Sequence, residues 1–482
     1  MNVKVISRNV GYALLVSALF MFLSILVSVA NGNDSALAAL MISFTITFTF
    51  GIFPFIFVRK SREITLKDGY LIIVLSWLLS FIFGMLPYAL WGGPFTIINA
   101  WFESVSGFTT TGASILDNVE ALPRSLLFWR SSTHFIGGLG VVVFLLLVIP
   151  SSSQMRLRLT NLELSSLSKR EYRSGSNRTV YIFTYVYLGM LVASFLCYLL
   201  AGMSPFDAIN HAMSVTATGG FSTRNLSIGS FDSVAIDLIT MFFMLLSSIH
   251  FGMVFVAFVT RSLKPFKNEI FKFYISSLAI VSVIVSVSLK VNGIEQAWGR
   301  AFLSGSFHVL SYASTTGFGI ADNGIWPALP SAMLIFVGIW CGMAGSTTGG
   351  IKSDRALLLC KEINYRLKTV LHPASVAEVR MNRRVVRQDD IAPHILYIAL
   401  YMMLIVISLA VNLILNPDDA NAIAATFTSL SNVGPSIGEL GSFGNFNAEP
   451  AGAKLIYTLD MFLGRVEIYP VLAVLMMIFR RK

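Results

Sequence analysis

The chain has 482 residues, of which 55% are hydrophobic and only 12% charged, with a net charge of +10 and a mean hydropathy of +0.73. A soluble domain carries roughly a quarter charged residues, so a water-soluble globular protein is excluded, and recurring apolar runs of about 20 residues make this a polytopic membrane protein whose first partner is the lipid bilayer. The basic surplus does not indicate nucleic acid, because Lys and Arg cluster between the apolar runs, where they set topology.

The first apolar run, Gly11 to Ala30, follows Lys4 and Arg8 and superficially resembles a signal peptide. It is as long as a full span and a second follows at once, so an uncleaved helix is expected. Further runs lie near residues 38–58, 69–91, 125–150, 179–201, 232–260, 271–291, 328–371, 392–415 and 453–479, making ten. Cys197, Cys341 and Cys360 are far apart and contain no CxxC pair, so they read as packing residues and not as a disulfide framework or metal site.

Alternate connections test the ten-span count. Segments 1–10, 59–68, 151–178, 261–272, 352–391 and 480–482 hold 28 of the 35 Lys and Arg. That side is expected to be cytoplasmic, with both termini inside. The remaining residues carry 15 acids against 7 bases, a balance that concentrates cations at an outer mouth.

After the first two spans one unit recurs four times: a long span, a short connection, a half-length segment ending in Ser/Thr and Gly, and another span. The short segments are FESVSGFTTTGAS (Phe102 to Ser114), NHAMSVTATGGFS (Asn210 to Ser222), FHVLSYASTTGFG (Phe307 to Gly319) and ATFTSLSNVGPSI (Ala425 to Ile437). They align on Gly112, Gly219, Gly317 and Gly434. About 12 residues of helix cannot cross a 30 Å core, so these segments must be re-entrant. Non-helical backbone at that depth is tolerated only inside protein or beside water, and four such segments would line a pore. Thr110, Thr111, Ala217, Thr218, Thr315, Thr316, Asn432 and Val433 precede the glycines and can offer carbonyls to a dehydrated ion. Rings of carbonyls are the established basis of potassium selectivity. SNVGPS is the weakest match of the four.

These repeats, together with HFIGGLGVVVF (His134 to Phe144), GMAGSTTGGIKSDR (Gly342 to Arg355) and GRVEIYP (Gly464 to Pro470), resemble the TrkH branch of the Trk/Ktr/HKT superfamily of potassium transporters over essentially the whole chain. The two extra N-terminal spans favour TrkH over KtrB. The resemblance implies an all-α polytopic membrane protein of the bacterial inner membrane, with two N-terminal transmembrane helices (1–68) and four pseudo-symmetric helix–pore helix–helix repeats (69–178, 179–269, 270–391 and 392–482) around one pore. It further implies potassium as the transported ion, a homodimer, and a cytosolic nucleotide-binding regulatory subunit of TrkA type. Glycine at all four filter positions resembles potassium-permeable members. A sodium-coupled or sodium-permeable transporter, and the membrane subunit of an ATP-driven potassium pump, are the competing readings. No catalytic constellation points to an enzyme.

The run 328–371 is too long for one crossing, and Gly342, Gly345, Gly349 and Gly350, with Ser346, Thr347 and Thr348 between them, interrupt it. The favoured account is a flexible loop under the filter acting as an inner gate; a tight kink, or a helix end leading to a cytoplasmic loop, is the alternative. Gly345 to Ser353 nearly spells a phosphate-binding loop, but Ile351 separates the glycine from the lysine, so no nucleotide is expected on this chain. Arg465 is a charge within the last span and by default a functional candidate. It is expected either to pair with Asp460 or Glu467, or to stand in the conduction path and oppose cations. Lys352 would add to that barrier unless it already lies in cytoplasmic water.

Overall fold

The computed structural model describes residues 2–59, 65–148, 176–373, 378–382, 384–417 and 421–479. The basic segment 151–178 lies almost wholly outside the described residues, as does Arg383. Apart from loops, the described chain is helical except for a two-residue antiparallel ribbon, β1 (Arg380–Met381) with β2 (Arg384–Val385).

Helices α1 (Val3–Ala30) and α2 (Leu37–Phe57) form an antiparallel pair at the N-terminus. Their backbones approach closely at glycine, as is common between membrane helices: a Cβ on Gly11 would lie 2.7 Å from Gly51 O. Phe48, Phe50, Phe53 and Phe57 on α2 are exposed, the pattern of a surface that faces lipid tails. Between the two helices Asp34 accepts hydrogen bonds from Ser28 Oγ (2.7 Å), Ser125 Oγ (2.8 Å) and Ser125 N (3.1 Å). It thereby ties the pair to the helix that starts at Arg124.

Four similar units follow. The first contains α3 (Leu66–Gly84) and α4 (Leu86–Trp91), the half-length α5 (Ile97–Phe108), and α6 (Arg124–Val148). The second contains α7 (Ser176–Leu200), the half-length α8 (Pro205–Ala217), α9 (Val234–Ser248) and α10 (Phe251–Thr260). The third contains α11 (Glu269–Val291), the half-length α12 (Trp298–Ala313), α13 (Ala328–Trp340) and α14 (Ser353–Leu371). The fourth contains α15 (Gln388–Leu415), the half-length α16 (Ala422–Ser431), α17 (Ala451–Val466) and α18 (Ile468–Phe479). The half-length helices have 10 to 16 residues, so at 1.5 Å per residue none crosses a 30 Å core. Phe81 with Phe462 (5.6 Å between centroids) and Phe102 with Phe446 (5.3 Å) join the first unit to the fourth.

Each of the ten apolar runs contains helix, but they are not ten straight spans. Among the described residues six helices are long and apolar enough to cross a bilayer, or eight spans if two bent pairs each count as one. The runs 232–260 and 453–479, read as single spans, bend by 105° between α9 and α10 and by 108° between α17 and α18. The run 328–371 is split by a non-helical loop between α13 and α14. The thiols also differ from expectation: Cys341 is buried and Cys197 half-buried, whereas Cys360 is exposed, because it lies on a face of α14 that the described residues leave uncovered, together with Ile363 and Leu367.

Close packing of α1 on α2 makes Gly11→Ala an overpacking change, expected to cost about 1–3 kcal/mol. Gly189 in α7 has open space around it, so Gly189→Ala should be neutral or stabilising by up to about 1 kcal/mol through helix propensity. Thermal unfolding of the two variants in detergent checks the contrast.

Candidate functional site

Each half-length helix ends in the same backbone figure. Thr110, Thr218, Thr315 and Asn432 adopt positive φ (53° to 57°), and the glycine two residues later does so again: Gly112 at 82°, Gly220 at 85°, Gly317 at 79° and Gly434 at 90°. The amide between them closes back on the helix in every unit. Thr111 N, Gly219 N, Thr316 N and Val433 N donate to Ser106 O, Ser214 O, Ser311 O and Thr428 O, all at 2.9 Å. This corrects the register of the second unit by one residue. Gly220, not Gly219, corresponds to Gly112, Gly317 and Gly434; two adjacent glycines made the sequence alignment ambiguous. Ala217 then belongs to the helix end and Gly219 to the middle position.

The four segments close into a ring. A Cβ on Gly112 would lie 2.0 Å from Gly219 O, one on Gly220 2.1 Å from Thr316 O, one on Gly317 2.4 Å from Val433 O, and one on Gly434 2.2 Å from Thr111 O. Each glycine therefore sits against the carbonyl of the middle residue of the next segment, and the fourth returns to the first. Glycine is required on two grounds, the left-handed dihedral and the missing Cβ. Asn432 Nδ2 also donates to Thr111 Oγ1 (3.0 Å) and to Met461 O (2.8 Å), so the weakest sequence match is tied in by its own side chain.

α6 backs the first two segments along one face. Cβ atoms on Gly137 and Gly138 would meet Phe108 O at 1.8 Å and the Ala217 Cβ at 2.8 Å, and His134 stacks on Phe221 at 4.1 Å. Charge is buried here as well. Glu103 on α5 pairs with Arg130 on α6 at 2.7 Å, with both side chains essentially inaccessible. Neither was singled out from sequence, although Arg130 stands in an apolar run in the same way as Arg465.

Of Gly342, Gly345, Ser346, Thr347, Thr348, Gly349 and Gly350, it is Thr347 and Gly349 that meet the helix-side ends of these segments, while Gly342 and Gly345 pack on Ser248 and His250. Thr218 Oγ1 donates to Thr347 O (3.1 Å), Gly349 N donates to Thr315 Oγ1 (3.1 Å), and a Cβ on Gly349 would lie 2.3 Å from Ser431 O. Met343 N bonds Ser248 O (2.9 Å) and Phe251 N bonds Gly345 O (3.0 Å), which seats the loop in the break between α9 and α10. The loop is thus hydrogen-bonded into the break between α9 and α10 and against the second and third segments.

Arg465 lies at the end of α17 and reaches the loop. Its Nη1 donates to Thr347 O (2.5 Å) and its Nη2 to Gly137 O (2.9 Å), joining the fourth unit to the third and first. The carboxylates considered as its partners are engaged elsewhere. Asp460 accepts from Ser408 Oγ (2.5 Å). Glu467 pairs with Arg355 at 2.8 Å and Lys352 at 3.5 Å. Lys352 is therefore buried and paired, not in cytoplasmic water. Glu467 and Lys352 both have positive φ, 58° and 77°; they mark the bend between α17 and α18 and the exit from the loop, and their ion pair pins the two breaks together. Arg355 also lies 3.9 Å over the Tyr397 ring. On the other side of the ring, Asp207 heads α8. Its carboxylate accepts hydrogen bonds from Thr223 Oγ1 (2.6 Å), Arg224 Nη2 (2.9 Å) and Ser204 Oγ (2.9 Å).

A set of re-entrant half-helices, ringed carbonyls and a loop beneath them defines a membrane transport protein and not an enzyme. The model of the TrkH family, described as cation transport protein, matches residues 36–480. The chain belongs to the TrkH family. It is 33% identical over 490 residues to the Trk system potassium uptake protein TrkH of Halomonas elongata, and 30% identical over 486 residues to that of Escherichia coli K12, each covering 100% of both chains. The crystal structure of the potassium transporter TrkH from Vibrio parahaemolyticus superposes with a TM-score of 0.89 at 30% identity, again over 100% of both chains.

The buried Glu467 pairs with both Lys352 and Arg355, while Asp354 adds a second negative charge near Arg355. Glu467→Gln removes the carboxylate that both buried cations pair with, and such losses cost about 3–5 kcal/mol. Glu378→Gln, which breaks an exposed pair with Arg380, should cost under about 1 kcal/mol. Denaturation of the purified variants in detergent reads the difference.

Proposed function

We propose that this chain takes potassium into the cell across the bacterial inner membrane, with both termini cytoplasmic, through a pore framed by the repeats 69–178, 179–269, 270–391 and 392–482 behind the N-terminal helices 1–68. The observation that carries the reading is the closed ring in which Gly112, Gly220, Gly317 and Gly434 each abut the next segment's middle carbonyl. Four carbonyl-bearing segments at one level can replace the hydration shell of a cation. The C-terminal ends of the four half-length helices add a favourable dipole. Thr110, Thr111, Gly112, Thr218, Gly219, Gly220, Thr315, Thr316, Gly317, Asn432, Val433 and Gly434 are the filter in this reading. The names of the Halomonas and Escherichia relatives supply the ion and the direction.

The loop Gly342–Gly350 is the inner gate. A cation leaving the ring meets the loop and then Arg465, whose charge opposes it strongly in a medium of low dielectric. A cytosolic nucleotide-binding subunit of TrkA type moves this gate by docking on the basic cytoplasmic segments, and two copies of the chain assemble as a homodimer. The chain itself binds no nucleotide. The words "Trk system" in the relatives' names support a multi-component assembly.

Rubidium, potassium, sodium and lithium uptake into liposomes containing only this chain tests the proposal. Uptake of potassium and rubidium over sodium is expected; uptake of sodium alone would overturn it. Gly112→Ser places a side chain where φ is 82° and the next carbonyl is 2.0 Å from the Cβ position, so sodium permeation should rise relative to potassium in the folded fraction. Arg465→Ala should raise flux severalfold without the partner and leave selectivity largely intact. If that variant folds and conducts no more than the parent, the arginine only holds the packing of Thr347 and Gly137.

A further inference from the structure

Nine residues before the left-handed glycine of each unit stand Glu103, His211, His308 and Ala425, all fully buried. Their partners lie on the segment that leaves the ring. His211 Nε2 meets Ser222 Oγ at 2.8 Å, and His308 Nε2 meets Ala321 O at 3.1 Å. Ala425 can make no such bond; instead the third unit's Tyr312 hydroxyl donates to Ser436 O. The first unit places an ion pair at this position. Glu103 accepts from Ser114 Oγ (3.0 and 3.1 Å), Ile115 N (3.1 Å) and Arg130 Nε (2.7 Å). The Arg130 guanidinium continues to Ser114 Oγ (3.2 Å) and, in the neighbouring unit, to Ser222 O (3.3 Å), with its carbon 4.0 Å from the centre of the Phe221 ring.

Among these four positions only the first carries a charge, and only its network reaches across to the next segment through a cation. A buried ion pair is poor value as pure stabilisation, since apolar side chains of like volume often do as well. What it adds is fixed geometry, because a charge-assisted bond is shorter and stronger than a neutral one. Ser114 and Ser222 each lie two residues beyond the ring glycine, so the pair holds two adjacent segments at a set separation.

We propose that Glu103 and Arg130 are positioning residues for cation selectivity: their ion pair, through Ser114 and Ser222, fixes the spacing between the first and second segments of the ring. The proposal rests on reading that ring as the filter. Glu103→Gln keeps the shape but leaves Arg130 without its counter-charge, while Ser114→Ala removes one shared hydroxyl and leaves the ion pair intact.

The test measures rubidium and sodium uptake by liposomes containing the full-length parent, Glu103→Gln, Arg130→Gln, the double variant, Ser114→Ala and Gly112→Ser, each selected for monodisperse elution. Selectivity for rubidium over sodium should fall about tenfold in Glu103→Gln and in Arg130→Gln, with the double variant losing no more than either single one, as expected for one shared interaction. Ser114→Ala should fall severalfold. Where the charge variants fail to fold, Ser114→Ala alone decides. Parental selectivity in folded Ser114→Ala and Glu103→Gln, beside a shifted Gly112→Ser, would overturn the positioning role and leave the filter standing. Parental selectivity in Gly112→Ser as well would overturn the filter reading itself.

Discussion

Backbone that leaves the helix inside a bilayer must find partners for its polar groups within the protein, since each one left bare costs several kcal/mol. Four stretches of this chain are in that position, and they share one solution. The middle amide of each returns to a carbonyl five residues earlier on its own half-length helix, which takes the donor out of play and leaves carbonyls in excess. Two left-handed residues, separated by one, turn the chain back. The second must be glycine because the next segment's carbonyl occupies the space of its Cβ. Dihedral, missing side chain and ring closure are three consequences of one packing constraint, and the helices around them serve to hold it.

The same constraint accounts for the broken helices. In three of the four units the helix that follows the ring is interrupted: between α9 and α10, between α13 and α14, and between α17 and α18. The freed backbone groups at these breaks satisfy one another, as where Met343 N and Thr347 N meet Ser248 O and Ser247 O. The loop is held by neutral hydrogen bonds to Thr218 and Thr315 and by the cation of Arg465. Glu467, Lys352 and Arg355 form the firmer joint behind it.

Much of this was legible in the sequence. Hydropathy located the long helices, and the Ser/Thr-Gly recurrence located the four half-length ones with their segments, because both signals are local. What escaped was set by three-dimensional neighbours. The choice between Gly219 and Gly220 depends on which one faces Thr316 O, and no local pattern carries that information. The bends at Ile249–His250 and at Glu467 were missed because hydropathy averaged over a span's length stays apolar across both. Arg130 was recoverable: the rule that drew attention to Arg465, a charge inside an apolar run, applies equally to it. The pairing of Lys352 escaped because its partner Glu467 is 115 residues away.

The central claim is that the middle carbonyls of the four segments bind a dehydrated cation. The most direct measurement is anomalous diffraction from crystals of the full-length protein grown in rubidium in place of potassium. The account predicts an anomalous peak enclosed by the carbonyls of Thr111, Gly219, Thr316 and Val433. Well-ordered segments with no peak among them, or a rubidium site elsewhere between the helices, would contradict it.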